Sequence, residues 1–157
     1  MENTCLHVLS KMIYGIYVLT TFRGEEINGM IASWVSQISY DPPMVIAAIH
    51  PNRYSHQMIH ESAFFALHLL SREKKDLLSC FKNPDPGLRF SSLKWTRGKT
   101  GCPILKDCVG YMECEVKDEM EPGNHTLFLG EVVAAEIFSN EVPMSTLDYE
   151  GVYFGKS

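Results

Sequence analysis

The sequence has no Cys-x-x-Cys spacing, no glycine-rich phosphate loop, no Gly-x-Ser-x-Gly elbow and no internal repeat. Its five cysteines, Cys5, Cys80, Cys102, Cys108 and Cys114, are odd in number and scattered. That argues against a disulfide framework or a zinc ribbon and for buried, reduced thiols. Basic residues are in deficit, with a net charge of -5. A general nucleic-acid binder, which must neutralise phosphates, is thereby disfavoured. The longest purely apolar run, residues 44–49, is far too short to cross a bilayer. The first residues hold Glu2 and no basic cluster, a poor match to a secretion signal. The expectation is a cytoplasmic protein with no membrane partner. What is present is ordinary globular composition, 45% hydrophobic and 21% charged. A length of 157 residues suits one domain, 1–157, able to bury its own core.

Extended segments dominate. Residues 14–22 are rich in Tyr, Ile, Val and Thr, and Gly24 with Glu25 and Glu26 marks a turn after them. A second run covers residues 27–39 and stops at Asp41-Pro42-Pro43, where two prolines cannot donate to a ladder. Residues 44–49 read as a strand buried on both faces, and residues 63–70 as a further strand. Helices are expected over residues 54–60 and from an N-cap at Ser71 to about Cys80. Residues 83–101 form a long excursion with room for one short helix; loops of that length are often functional. Two long strands, 109–117 and 126–138, flank the turn signal Glu121-Pro122-Gly123-Asn124. Strands joined mainly by turns favour a mainly β, antiparallel barrel with a few helices over a doubly wound parallel sheet.

Three stretches can carry chemistry. Asn28-Gly29-Met30-Ile31-Ala32-Ser33-Trp34-Val35-Ser36-Gln37-Ile38-Ser39 combines small residues with polar groups at positions 33, 37 and 39. On one strand those three share a face. Small side chains admit a flat ring to the backbone, and hydroxyls can bond phosphate or ribityl oxygens. A half-buried strand with a polar outer face explains the same residues. Asn52-Arg53-Tyr54-Ser55-His56 sets a guanidinium and a short hydroxyl at a helix start, where free amides and the positive dipole end favour an anion. A surface arginine at an ordinary helix start is the plain alternative. Gly123-Asn124-His125-Thr126 places a histidine before a strand, pointing into a cleft or simply into solvent. His56 and His60 lie four apart on one helix face but have no further ligands at useful spacing, so no metal site is expected.

Taken together, these stretches resemble the flavin reductase-like family with its FMN-binding split barrel. The nearest likeness is to small NADH:FMN oxidoreductase and flavoredoxin domains, some of which are fused to rubredoxin. The likeness runs from Tyr14-Gly15-Ile16-Tyr17 to Gly155-Lys156-Ser157. It is carried by residues 28–43, by Asn52, Arg53 and Ser55, by Lys99-Thr100-Gly101-Cys102-Pro103-Ile104-Leu105, and by residues 123–132. The resemblance implies an antiparallel split β-barrel and a homodimer that takes hydride from NAD(P)H. It implies FMN ahead of FAD, with phosphate held around Ser33, Asn52, Arg53 and Ser55. The ring would lie along Met30 to Gln37, mostly against backbone; the implied cofactor-binding set there is Asn28, Gly29, Met30, Ile31, Ala32, Ser33, Trp34, Ser36 and Gln37, and His125 would be the catalytic residue near the ring and the incoming nicotinamide. Many relatives carry Thr at Ile31, Ser at Gln37, a small residue at Trp34 and Asp at Asn124. A rubredoxin-like or other redox protein is an implied partner. Two alternatives stand beside the reductase: a flavoredoxin-type carrier with tightly bound FMN, and a non-catalytic split barrel binding haem or another ligand, for which His56 and His60 are the support.

Overall fold

Short β-rich segments separated by turn residues must pair antiparallel, and the computed structural model, which describes residues 2–148, shows how. Strand β1 (Tyr17–Arg23) and β2 (Glu26–Ala32) form a hairpin. Its two-residue turn is possible because Gly24 takes φ +58° at no side-chain cost. After β3 (Val35–Ser39), β4 (Met44–Ile49), β5 (Phe64–Leu69), β8 (Gly110–Met120) and β9 (Thr126–Ile137) are added, the main sheet has the order β2-β1-β5-β8-β9-β4-β3. A small separate hairpin, β6 (Trp95–Arg97) and β7 (Pro103–Leu105), lies outside it.

The strand expected over 27–39 is two strands, and they are the two opposite edges of the sheet. Only Ser33 and Trp34 separate them. A chain covers no more than about 11 Å between Ala32 and Val35, so the first and last strands must lie side by side. The sheet is therefore rolled into an antiparallel barrel, split along the line where Ser33 and Trp34 cross. Closure also undoes the expected common face for positions 33, 37 and 39. Ser33 is buried in the crossing, whereas Gln37 is exposed on β3, with a register shift between Gln37 and Ser39.

Alternation assigns the two faces. Leu19, Met30, Ala32, Ile49, Phe65, Leu67 and Phe128 fill the barrel. Val18, Ile27 and Ile31 point outward, onto a second core with Leu78, Phe81 and Phe90. Strand β4 alternates buried and half-buried positions instead of being buried on both faces, because an antiparallel barrel strand has only one inner side.

Helix α1 (Glu2–Leu9) escaped the sequence reading, since it lies exposed and carries no stripe facing a core. Helix α2 (Tyr54–Ser62) buries Met58 and Ile59, the latter in the barrel core, and ends at Ala63 in the left-handed region. Helix α3 (Asp76–Phe81) begins well after the expected cap. Ser71 is engaged in a bridge with Pro143, and its Oγ accepts the Glu73 N–H at 3.2 Å, so it shapes a turn. The excursion after α3 holds a single 3-10 turn, Pro86–Leu88, and then enters β6. The cysteines are free; Cys102, Cys108 and Cys114 are buried, and burial pushes the thiols of Cys102 and Cys114 up to about 12. No described helix is long and apolar enough to cross a membrane. The end of the family likeness, 155–157, lies outside the described residues.

Candidate functional site

The second core leaves one flank of β2 uncovered, and a cleft of about 700 Å³ opens there. Three pieces of chain wall it. Strand β2 and the crossing give Asn28, Met30, Ile31 and Ser33; the start of α2 gives Asn52, Arg53 and Ser55; α3 and the excursion give Leu78, Phe81, Pro86 and Arg89. The volume suits a cofactor-sized ligand.

The polar groups of this cleft are poorly matched to one another. Arg53 occupies the N-cap of α2, where its carbonyl accepts the His56 N–H but its side chain offers no acceptor to the first-turn amides, and that turn contains no acid. The dipole end is thus left positive. Among the described residues no carboxylate pairs with the Arg53 guanidinium. Ser33 is 2% exposed, and among the described residues its Oγ has no hydrogen-bond partner. Buried hydroxyls are normally satisfied, so an orphan beside a cleft is an exception with an acceptor and a donor to spare. Asn28 and Ser55, both fully buried, are bonded to each other, Asn28 Nδ2 donating to Ser55 Oγ at 2.8 Å. That bond ties β2 to the start of α2.

Other expected residues stand elsewhere. Gly29 does not open the strand to a ligand: a Cβ there would meet Phe81 at 2.5 Å and Phe90 at 3.1 Å, so aromatic side chains of the second core use its space. Ala32 lies in the barrel core. Ser36 and Gln37 are exposed on edge strand β3 and bond only local carbonyls. Trp34 packs against His125, ring centroids 4.7 Å apart, and the indole N–H of Trp34 has no partner among the described residues. His50 meets His125 edge-on at 5.2 Å. His125 Nδ1 lies 2.7 Å from Asn124 Oδ1, an acceptor only, so Nδ1 carries the proton and Nε2 is left as an acceptor. Burial, then His50 and Arg53, hold the His125 imidazole below its ordinary value and therefore neutral at neutral pH. His125 is thus close enough to feel Arg53, yet it does not line the cleft itself.

His56 and His60 face different partners: His56 Nε2 bonds Thr126 Oγ1 at 2.7 Å, and His60 pairs with Glu119 at 2.9 Å. Among the described residues no cluster of His, Cys, Asp and Glu could hold a metal. Arg89 was missed by the sequence reading. It donates from Nη1 to Asn28 Oδ1 and the Gly29 carbonyl, and from Nε to the Asn83 carbonyl. The only available signal was the length of the excursion, which singles out no residue.

Barrel, split and cation-lined cleft together define a class: a split β-barrel with an open, cation-lined cleft at the start of α2. The chain belongs to the family described as flavin reductase like domain, whose model matches residues 9–157. It is 29% identical to a high molecular weight rubredoxin of Moorella thermoacetica, over 99% of this chain and 68% of that protein. It is 31% identical to a probable flavin reductase of Rhizobium meliloti, over 78% of this chain but 39% of that longer protein. The NADH:FAD oxidoreductase SgcE6 of Streptomyces globisporus C-1027 superposes with a TM-score of 0.82 at 26% identity, covering 92% of this chain and 82% of that one.

Proposed function

We propose that the chain is an NAD(P)H:flavin oxidoreductase whose cleft holds FMN with its phosphate at the start of α2. The observation that carries this is the meeting of Arg53, Ser55 and the unpartnered Ser33 hydroxyl in one cleft. These groups fit a phosphorylated flavin: the guanidinium and the uncapped helix start supply positive charge, and the hydroxyls supply hydrogen bonds. When bound, the flavin supplies the redox chemistry, accepting hydride from the reduced nicotinamide. The chain's own residues bind and align. Asn28 and Ser55 fix the distance between β2 and α2, and Met30 and Ile31 give the apolar wall. Neutral His125, with Nε2 as an acceptor, is suited to hold the carboxamide of an incoming nicotinamide beside Trp34. Alignment of donor and acceptor is worth several kcal/mol, about 7 or more in favourable cases.

The chain works as one flavin-binding domain in the cytoplasm, which its free cysteines suit. It pairs as a homodimer; exposed Ile38 and Tyr40 at and beside edge strand β3 support a covered face there. The rubredoxin name of one relative favours a small redox protein as electron acceptor. Anaerobic mixing of the purified, flavin-loaded protein with NADH or NADPH tests the reading. Rapid loss of flavin absorbance is expected, and His125→Ala slows it roughly tenfold or more while FMN affinity changes little. A bound flavin that neither nicotinamide bleaches would leave the electron-carrier role; a protein that takes up no flavin would end the reading.

A further inference from the structure

The layer over the second core is charged unlike the rest of the chain. It spans residues 71–108 and carries α3, the excursion and the β6–β7 hairpin. Those residues hold nine of the fourteen Lys and Arg but four of the nineteen Asp and Glu, a net charge of +5 that leaves the remainder at -10. Folding keeps this charge on one body. Leu77, Leu78, Phe81, Phe90 and Leu105 turn inward onto Ile16 and Val18, which leaves the layer's polar side chains facing out. Two of its four acids are engaged: Asp85 accepts the Gly87 N–H at 2.9 Å, and Asp107 pairs with Lys74 at 3.4 Å. The Lys106 N–H donates to the Lys94 carbonyl at 3.0 Å, so Lys94 and Lys106 lie side by side next to that pair. Lys75, Lys94, Lys99 and Lys106 are exposed, and among the described residues none of them pairs with an acid. Outside the layer, by contrast, Arg23 and Lys117 both stand in ion pairs. Through Leu78, Phe81 and Pro86 the layer is also one wall of the cleft.

We propose that the outer face of this layer docks a protein electron acceptor with an acidic surface, which draws electrons from the cleft beside it. The proposal rests on the flavin reading above and specifies the partner's chemistry and seat. Unpaired like charges set side by side repel, so these lysines do not serve the stability of the fold. A positive face on a net negative molecule steers an acidic protein toward it and raises association rates by about ten- to a thousandfold. The negative remainder turns the same partner away, which fixes its orientation. Lys75, Lys94, Lys99 and Lys106 do not line the cleft, so they act on a partner and not on the flavin. The electron count closes: NADH or NADPH gives two electrons as hydride, two one-electron acceptors such as ferric rubredoxin each gain one and become ferrous, and one proton is released. A second copy of this chain, with its acidic remainder, and the anionic nicotinamide feel the same field, and the test separates them.

The probe is an acidic rubredoxin, with basic cytochrome c as the opposite-charge control. The flavin-loaded protein, as wild type, as the triple variant Lys75→Glu, Lys94→Glu, Lys106→Glu, or as the same triple to Gln, is mixed anaerobically with excess nicotinamide and each acceptor. Rubredoxin reduction by wild type is expected to slow as salt rises, because exposed charges are screened beyond about 8 Å at physiological ionic strength. Charge reversal slows it by roughly tenfold or more at low salt, and neutralisation by less. Cytochrome c reduction moves the opposite way, and bleaching of the bound flavin by the nicotinamide is unchanged. Calorimetry of the flavin-free protein with rubredoxin reads the face without electron transfer, and the reversal is expected to weaken that binding. Rubredoxin rates and binding that ignore all three lysines would overturn the proposal. So would a reversal that slows flavin bleaching as much as rubredoxin reduction, which makes the layer a funnel for the nicotinamide, or one that abolishes self-association in sedimentation, which gives the layer to a second copy. Wild type that binds rubredoxin through these lysines but takes up no flavin sinks the flavin reading and leaves the docking face; wild type that is bleached while its rubredoxin exchange ignores them sinks the docking face alone.

Discussion

Two parts of this molecule bury polar side chains, and they treat them in opposite ways. Against the β6–β7 hairpin, every buried polar group is answered. Glu113, 1% exposed, accepts the N–H of Lys99 at 3.1 Å, the N–H of Thr100 at 2.9 Å and the Thr100 hydroxyl at 2.6 Å. A Cβ on Gly98 would run into that same carboxyl group. His68 donates from Nδ1 to the Val18 carbonyl and accepts the Leu105 N–H at Nε2, stitching β1 to β7. Thr20 Oγ1 donates to the Pro103 carbonyl at 2.7 Å. Around the cleft the accounting does not close. Among the described residues Ser33 Oγ and Trp34 Nε1 have no partner, Arg53 has no acid, and no side chain caps the start of α2. The first region is polar structure that satisfies itself, whereas the second leaves polar groups facing an open cleft, as the proposed flavin site requires. Burial alone does not separate them; satisfaction does.

The contrast can be broken at either end. The largest effect is expected at Glu113. Glu113→Leu strands three donors and should lower unfolding free energy by on the order of 3 kcal/mol or more. Urea denaturation measures that loss, and FMN affinity of the folded fraction should not move. A loss of flavin binding without a loss of stability would reverse the assignment of that region.

Next comes acid. Burial pushes the His68 imidazole from its ordinary 6.5 down to about 4. As pH falls, the unfolded chain takes up the proton first. The stability held above pH 6.5 is therefore lost on the way down, by about 3 kcal/mol at pH 4 from this one group. His68→Gln, which keeps a donor and an acceptor, should flatten that part of a stability-against-pH curve. An unaltered curve would mean that other groups carry it.

At the cleft the order reverses, with binding moving and stability not. Arg53→Ala should weaken FMN by roughly ten- to a hundredfold through loss of a charged donor, with the melting temperature of the flavin-free protein unchanged. Protein that purifies with full flavin would count against the phosphate position. The smallest effect sharpens the comparison most. Ser33→Ala removes an orphaned hydroxyl, so the flavin-free protein should be as stable as wild type or more stable by about 1 kcal/mol, while flavin affinity falls. If Ser33→Ala destabilises instead, the hydroxyl has a structural partner and the contrast fails at that residue.

How much of this could be read from the residues follows from the range of the forces involved. The β8–β9 hairpin was legible because Glu121-Pro122-Gly123-Asn124 interrupts two β-rich runs, a local signal. The anion-ready start of α2 was legible in Asn52, Arg53 and Ser55, since a helix start brings neighbours in sequence together. The break at Ser33-Trp34 was not, because local β propensity continues through it. What forces the break is closure of a sheet whose two edge strands are neighbours in the chain. Gly29 shows a similar limit: its small size was visible, but that Phe81 and Phe90 would crowd a side chain there depends on α3 and the excursion. Ser71 had the chemistry of a helix cap, and a bridge to Pro143, far along the chain, claimed it.

By itself the sequence determined the strand-rich composition, the turns, the family likeness and the cationic helix start, all matters of local pattern. Only the tertiary structure decided which residues meet across the cleft. It brought Arg89 to Asn28 from an excursion without periodicity, and it left Ser33 without a partner. Local preference is written residue by residue, whereas the satisfaction of a buried polar atom depends on what distant segments bring to it.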